Sequence, residues 1–200
     1  MKKALEPETV ALRLWRQLYQ TYTLLKQQED RVFEEYGLTT EQYAVLVSIS
    51  YIGQPARITD IARWLERSTN SISMIVDRMV KAGLVRRARD KRDRRVVYVS
   101  GTSKGESLFM PATVASFEIV RKILSGIPRQ DKLSLLNLLG QVKYETLKYL
   151  RPAVDIEEIK KEELRQAANV GKWLSRYGGR SAPEVRRQGG EKGRTRKKTR

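Results

Sequence analysis

ITDIARWLERSTNSISMIVDRMVKAGLVRRARDKRDRRVVYVSGTSKG, residues 58–105, decides the fold of this 200-residue chain. With Arg57 in front of it, its start reads as a short helix with Thr59 as the cap. Ile58, Ile61, Ala62 and Leu65 form its apolar side. A break at Ser68–Asn70 opens a second helix over about 69–82. There Ile72, Ile75, Val76 and Met79 share one face, while Asn70, Ser71, Ser73, Met74 and Asp77 point elsewhere, and Gly83 closes it. Two helices around so short a break make either a helix-turn-helix or an ordinary helical hairpin, and spacing alone leaves both open. The residues that follow settle the choice: LVRRAR and RVVYVS are short β-prone runs around the turn DKRD. A helix-turn-helix followed by a β-hairpin is a winged helix.

The tip of this wing is unusually charged: seven of the ten residues 86–95, RRARDKRDRR, are basic. Such a run is ordinarily a solvated surface. Here it follows a recognition-type helix and leads into a strand in which Val97 and Val99 face the core and Tyr98 lies opposite. A strand with an apolar face holds the charges out in a defined place.

Outward from the wing the chain is helical. Val10, Leu14, Leu18, Leu24, Leu25, Val32 and Tyr36 recur at helical spacings over Pro7–Tyr36, with Gly37 just past the end. Thr39 and Gln42 make a capping box for a helix over 40–52, which Gly53 ends. Thr102 caps a helical region in which Pro111 predicts a kink or a broken first part. A further helix spans about 129–150, apolar at Leu133, Leu136, Leu139, Val142 (or Tyr144), Leu147 and Leu150, and Arg151-Pro152 ends it. The long flanking helices carry more apolar surface than one small winged helix needs, which points to a dimer core. Residues 155–175 read as an extra amphipathic helix with Asp155 and Glu158 as its capping pattern. Residues 178–200, with nine basic and two acidic positions and no aromatics, read as a disordered tail.

The fold class is therefore mainly α with a small β-hairpin wing, a winged helix-turn-helix embedded in a helical dimerisation domain. The expected division is an N-terminal dimerisation helix over 1–36 and the DNA-binding region over 37–100. C-terminal dimerisation helices follow over 101–151, then the additional helix over 152–177 and the basic tail over 178–200.

Composition narrows the chemistry. The chain has no cysteine and no histidine, so disulfides, thiolate metal sites, the commonest metal ligand and the usual general base are all missing. GTSKG at 101–105 satisfies the G-x-S-x-G pattern of a hydrolase elbow, but that chemistry needs a histidine base, and a helix cap after a wing strand explains the same residues. The expectation is no enzyme, no catalytic residues, no cofactor and no metal. No apolar run approaches a membrane span and the N-terminus lacks the apolar stretch of a signal peptide, so a cytoplasmic, nucleoid-associated protein without a membrane partner is expected. A net charge of +17, spread over both the first 150 residues and the last 50, favours a polyanionic partner.

The stretch resembles the signature region of the MarR (multiple antibiotic resistance) family of transcriptional regulators. The resemblance is carried by VDRM–KAGLV–R at 76–86, the D-x-R-D-x-R wing at 90–95 and the T-x-K-G helix start at 102–105; the order of elements agrees over about 7–150. It implies an all-helical homodimer with one winged helix per protomer, bound to double-stranded DNA at a pseudo-palindromic operator. The extra helix and the tail lie outside the family's usual extent, and the missing cysteine argues against its peroxide-sensing branch.

Within this reading, Ser68 and Thr69 at the N-terminus of the recognition helix suit a phosphate, through their hydroxyls and free backbone N–H groups. Asn70, Ser71 and Ser73 are short polar groups of the outward face; asparagine can pair with adenine, and Met74 suits a thymine methyl. By resemblance, Arg78 contacts phosphate or pairs with Asp60 or Asp77. The family pattern places a minor-groove arginine two residues after an aspartate. Here that is Arg95 after Asp93, with the carboxylate aiming the guanidinium by a charge-assisted pair. Arg92 and Arg94 are second candidates, Lys91 a phosphate contact, and Arg86 completes the basic set. Relatives bind small aromatic or anionic effectors between the winged helix and the dimer helices; Tyr19, Tyr22, Tyr43 and Tyr51 are the aromatic candidates, with core packing the alternative role. The leading function is a dimeric, sequence-specific DNA-binding repressor. The alternatives are a non-specific nucleoid-type DNA-binding protein and a winged-helix adaptor for protein or RNA.

Overall fold

The computed structural model describes residues 7–165; the basic tail and the second half of the extra helix lie outside the described residues. The order of elements is α1 (Pro7–Glu35), α2 (Thr40–Ile52), β1 (Ala56–Arg57), α3 (Ile58–Trp64), α4 (Thr69–Lys81), β2 (Val85–Arg89), β3 (Val97–Gly101), α5 (Ser103–Leu124) and α6 (Arg129–Leu150). Helices α2, α3 and α4 with the three strands form the winged helix.

Local signals account for most boundaries. Helix α1 ends with Gly37 at φ 71°, where the N–H of Leu38 reaches the carbonyl of Phe33 at 2.9 Å and that of Gly37 the carbonyl of Glu34 at 3.0 Å. Helix α4 ends the same way at Gly83, φ 72°, with Leu84 donating to Met79 and Gly83 to Val80, each at 2.9 Å. This paired bonding turns the chain at a left-handed residue that glycine adopts without strain. The capping box of α2 is complete: Thr39 Oγ1 accepts from Gln42 N–H at 3.2 Å, and Gln42 Oε1 accepts from Thr39 N–H at 3.0 Å.

One start differs from the sequence expectation. Thr59 does not cap α3; Arg57 occupies the cap position with no side-chain bond. The cause is a strand that sequence reading left out: Ala56 and Arg57 pair with Val99 and Tyr98, so α3 begins directly off β1 and Thr59 already lies inside it. The wing is thus part of a three-stranded antiparallel sheet of order β1-β3-β2, with Val85 opposite Gly101 and Arg87 opposite Val99. A two-residue strand is too short to show alternation.

Pro111 does not break α5, which runs unbroken from Ser103 to Leu124. The missing N–H costs one backbone bond. Phe109, Ala112, Thr113 and Val114, buried on either side of it, hold the helix against the core.

The core gathers Val32 and Phe33 of α1, Val45 and Ile49 of α2, Ile61 of α3, the Ile72–Met79 face of α4, Val99 of β3 and Phe109 of α5. Within it Tyr43 stacks on Phe33 with ring centroids 3.8 Å apart and meets Phe109 at 5.6 Å. By contrast α6 buries only Leu147. Its Leu133, Leu136, Leu139 and Leu150, and Val10, Leu12, Trp15 and Leu24 of α1, are exposed. Residues 156–165 are helical and begin at Asp155, whose carboxylate accepts from the N–H groups of Glu157 (2.9 Å) and Glu158 (3.1 Å). Glu163 of this segment accepts the Tyr144 hydroxyl at 2.7 Å and pairs with Lys143, which docks the segment on α6.

Among the described residues no helix is long and apolar enough to cross a membrane.

Candidate nucleic-acid interface

Helix α4 is built to present one face. At 100° per residue, Ile72, Ile75, Val76 and Met79 fall on one side and are buried, while Asn70, Met74, Asp77, Arg78 and Lys81 fall on the other. Met74 is 62% exposed, an unbranched apolar side chain in open solvent at the centre of that face. Ser68 is the cap, accepting the N–H of Ser71 at 3.1 Å. Ser68, Thr69 and Asn70 are exposed, and Ser71 and Ser73 are half-buried at the flanks. Of the seven expected recognition-helix residues, Asn70, Met74 and Arg78 share this face, Ser71 and Ser73 flank it, and Ser68 and Thr69 stand exposed at its N-terminal end. Lys81 belongs with them by helical period.

Arg78 pairs with neither aspartate considered from sequence. Its Nη2 lies 3.5 Å from Glu41 Oε2, while Asp77 is taken by Arg87 and Asp60 lies 3.8 Å from Arg63. Adjacent residues on a helix do not face each other, so Asp77 and Arg78 point apart. Glu41, in the first turn of α2, carries no sequence signal for this contact. Its other oxygen accepts Arg67 Nη1 at 2.8 Å.

The wing tip is shaped by its aspartates. Asp90 Oδ1 accepts from the N–H groups of Arg92 (2.8 Å) and Asp93 (3.0 Å), and these bonds hold its carboxyl below the ordinary range. Asp93 Oδ1 accepts the backbone N–H of Arg95 at 2.9 Å. This corrects the expected carboxylate–guanidinium pair, because a short aspartate side chain reaches the backbone two residues on more readily than a long side chain beyond it. Among the described residues Arg95 has no ion pair, and Lys91, Arg92, Asp93, Arg94 and Arg95 are all exposed, as is Arg86 at the base of β2. Asp93 thus sets the backbone that carries Arg95.

Wing and helix are tied together. Arg87 of β2 forms an ion pair with Asp77 of α4, so the strand leading to the tip is fixed to the outward face of the helix. Arg57 lies over the Tyr98 ring, 5.8 Å from its centroid, on the opposite side of the sheet. Gln54 Oε1 accepts the N–H of Gly101 at 3.0 Å, which fastens the end of β3. These contacts join residues far apart in sequence and leave no local pattern to find.

The T-x-K-G start of α5 closes the unit. Thr102 Oγ1 accepts from Gly105 N–H at 3.0 Å and donates to the Gly83 carbonyl at 2.7 Å, and Lys104 Nζ donates to the Ala82 carbonyl at 2.9 Å. A β-carbon on Gly105 would lie 2.1 Å from the Leu84 carbonyl oxygen, so only glycine permits the approach.

The four candidate effector tyrosines are not brought together. Tyr19 and Tyr22 stand exposed on α1, at 70% and 64%. Tyr43 belongs to the core, its hydroxyl 3.2 Å from Thr113 Oγ1 and its pKa pushed up to about 12 by burial. Tyr51 stacks on Trp64 at 5.5 Å. A separate groove between α1 and α5 is lined by Thr21, Leu24, Leu25, Gln28, Arg31 and Ile123, among others.

This geometry matches known regulators. The HTH-type transcriptional regulator PecS of Dickeya dadantii is 30% identical over 116 residues, spanning 57% of this chain and 70% of PecS. The family model described as the MarR family matches residues 38–97, the winged helix itself. The chain belongs to the MarR family. Its fold agrees with that of AbsC, a MarR family transcriptional regulator from Streptomyces coelicolor, at 26% identity and a TM-score of 0.62, over 74% of this chain and 99% of AbsC. AbfR, solved in its reduced form bound to DNA, is 25% identical with a TM-score of 0.56, over 72% of this chain and 95% of AbfR. The MarR protein described here is accordingly a DNA-binding transcriptional regulator. Its winged helix is the MarR unit, with β1 completing the sheet.

Proposed function

We propose that this MarR protein is a homodimeric repressor that reads a pseudo-palindromic operator in double-stranded DNA, with α4 in the major groove and the wing tip in the minor groove. The observation that carries the reading is the Asp77–Arg87 pair, which ties the outward face of α4 to the strand bearing the exposed cationic tip. Ser68 and Thr69 supply hydroxyls and free N–H groups for a phosphate at the helix N-terminus. Asn70, Ser71, Ser73 and Met74 meet base edges, Asn70 suiting adenine and Met74 a thymine methyl. Arg78 serves a phosphate from its place beside Glu41. In the wing, Arg95 enters the minor groove on the backbone set by Asp93. Arg92 and Arg94 support it, and Lys91 and Arg86 neutralise phosphates.

The division follows from this. Residues 37–100 read DNA, while α1 and the helices over 101–151 pair with a second copy. The exposed leucines of α6 and the exposed apolar face of α1 support that pairing, since contiguous apolar surface of this kind marks an interface. A small aromatic or anionic effector is a further ligand on this reading, and the groove between α1 and α5, where Arg31 supplies a cation, is a place for it. The reading as a cytoplasmic, nucleoid-associated protein follows from the same partner.

The test is selection of bound fragments from genomic DNA by the full chain, followed by a footprint on the enriched sequence. A palindrome with half-sites about one helical turn, roughly 10 base pairs, apart is expected for a two-fold dimer. A footprint without two-fold symmetry, or no enriched sequence, overturns the reading.

A further inference from the structure

The single carboxylate of Glu41 holds two arginines that flank the recognition helix at its two ends. Arg67 lies one residue before the Ser68 cap, and its Nη1 donates to Glu41 Oε1 at 2.8 Å. Arg78 lies in the last turn of α4, with its Nη2 3.5 Å from Glu41 Oε2. Arg67 precedes α4 and Arg78 lies in its last turn, so two long side chains from either end of the helix converge on one carboxylate of α2. The buried face of α4 fixes which side meets the core, and directional polar bonds at its two ends add restraint on its tilt and its position along its own axis.

Glu41 is itself well placed to set them. It follows Thr39 and Thr40 in the first turn of α2, which the complete capping box fixes. Thr40 donates its hydroxyl to Asp30 of α1, and Lys26 Nζ pairs with the same carboxylate at 3.0 Å. A continuous run of polar contacts therefore leads from α1 through the start of α2 to both ends of α4.

We propose that Glu41 is a positioning residue for DNA reading, fixing the orientation of α4 on α2 by holding Arg67 and Arg78 together. The proposal rests on the reading of α4 as the recognition helix. It also makes a prediction of unusual sign. A carboxylate beside two cations of a DNA-binding unit lowers the local positive potential, so on electrostatics alone its removal tightens binding to any duplex. Positioning demands the opposite.

The experiment uses the full chain and two duplexes at one salt concentration: a sequence recovered by selection from a random library with the unaltered protein, and a scrambled duplex of equal composition. Glu41→Gln is expected to weaken binding to the selected duplex by roughly three- to tenfold, the equivalent of two half-exposed ion pairs. Binding to the scrambled duplex is unchanged or slightly tighter, so the preference ratio falls. Glu41→Asp, which keeps the charge on a shorter arm, regains part of the ratio. Arg67→Gln breaks the hydrogen-bonded half from the other side and lowers the ratio likewise, which keeps the test open if Glu41→Gln does not fold. Equal or tighter binding of both duplexes by Glu41→Gln, with the ratio preserved, overturns the proposal alone. Absence of any preference in the unaltered protein overturns the reading of α4, and the proposal with it.

Discussion

Asp93 accepts the backbone N–H of Arg95 at 2.9 Å, while the Arg95 side chain stands exposed with no ion pair among the described residues. The aspartate therefore acts on the path of the wing and the arginine on what the wing touches. Arg95→Ala should weaken binding to the selected operator by about 1–3 kcal/mol, the range of a good specific contact. Asp93→Ala should cost less, and the double variant little more than Arg95→Ala, because a misplaced arginine and a missing one lose the same contact. Titrations of the four proteins at one salt concentration measure this. Full additivity would separate the two residues.

Gly105 sits where a β-carbon would lie 2.1 Å from the Leu84 carbonyl oxygen. Backbone must move to admit it, and the movement strains the Thr102 bonds to Gly83 and Leu84. Gly105→Ala should destabilise the protein by about 1–3 kcal/mol, as overpacking does. Denaturant unfolding monitored at the tryptophans reads this out; an unchanged midpoint would mean that α5 shifts freely.

Tyr43 gives stability a dependence on alkaline pH. Its pKa is pushed up from the ordinary 10.0 to about 12 by burial. Below pH 10 the folded and unfolded chains both keep this proton. Between 10 and 12 the unfolded chain releases it while the folded chain retains it, so stability falls as pH rises through that window. The loss from this one group is on the order of 2 kcal/mol. Tyr43→Phe loses the Thr113 hydrogen bond at neutral pH but should show a shallower alkaline decline than the unaltered protein. Equal slopes for the two would contradict the assignment.

Leu136 is 70% exposed on α6. If α6 pairs with a second copy, Leu136→Glu buries a charge at that interface and should shift the protein to monomer in sedimentation equilibrium. The fold of the protomer should survive, because Leu136 takes no part in its core. Operator affinity should fall with dimerisation, as two linked half-site contacts become one. A variant that stays dimeric would place the interface elsewhere.

Much of this was legible in the sequence because it is local. Helix periodicity located the buried face of α4 from Ile72 to Met79, and the helix ends at Gly37 and Gly83 need a left-handed residue. The capping box at Thr39 and Gln42 and the alternation of Val97, Tyr98 and Val99 act within a few residues. The outward face of α4 follows from the same period, which is why Asn70, Met74 and Arg78 lie together on it. Strand β1 leaves no trace in the sequence because two residues carry no pattern, and for the same reason Thr59 reads as a cap although it lies inside α3. Pro111 does not divide α5, since the buried residues around it outweigh one absent hydrogen bond.

The sequence by itself therefore determined the order of the helices, the two wing strands and the basic tip, since each depends on residues that are neighbours in the chain. Only the tertiary structure decided what the charged side chains do. Long flexible arginines and glutamates choose partners by proximity in space, so Arg78 meets Glu41 rather than Asp77, and Arg87 takes Asp77. Asp93 turned out to shape the wing through its backbone for a converse reason. Its short side chain reaches the nearest N–H and leaves the arginine beyond it free.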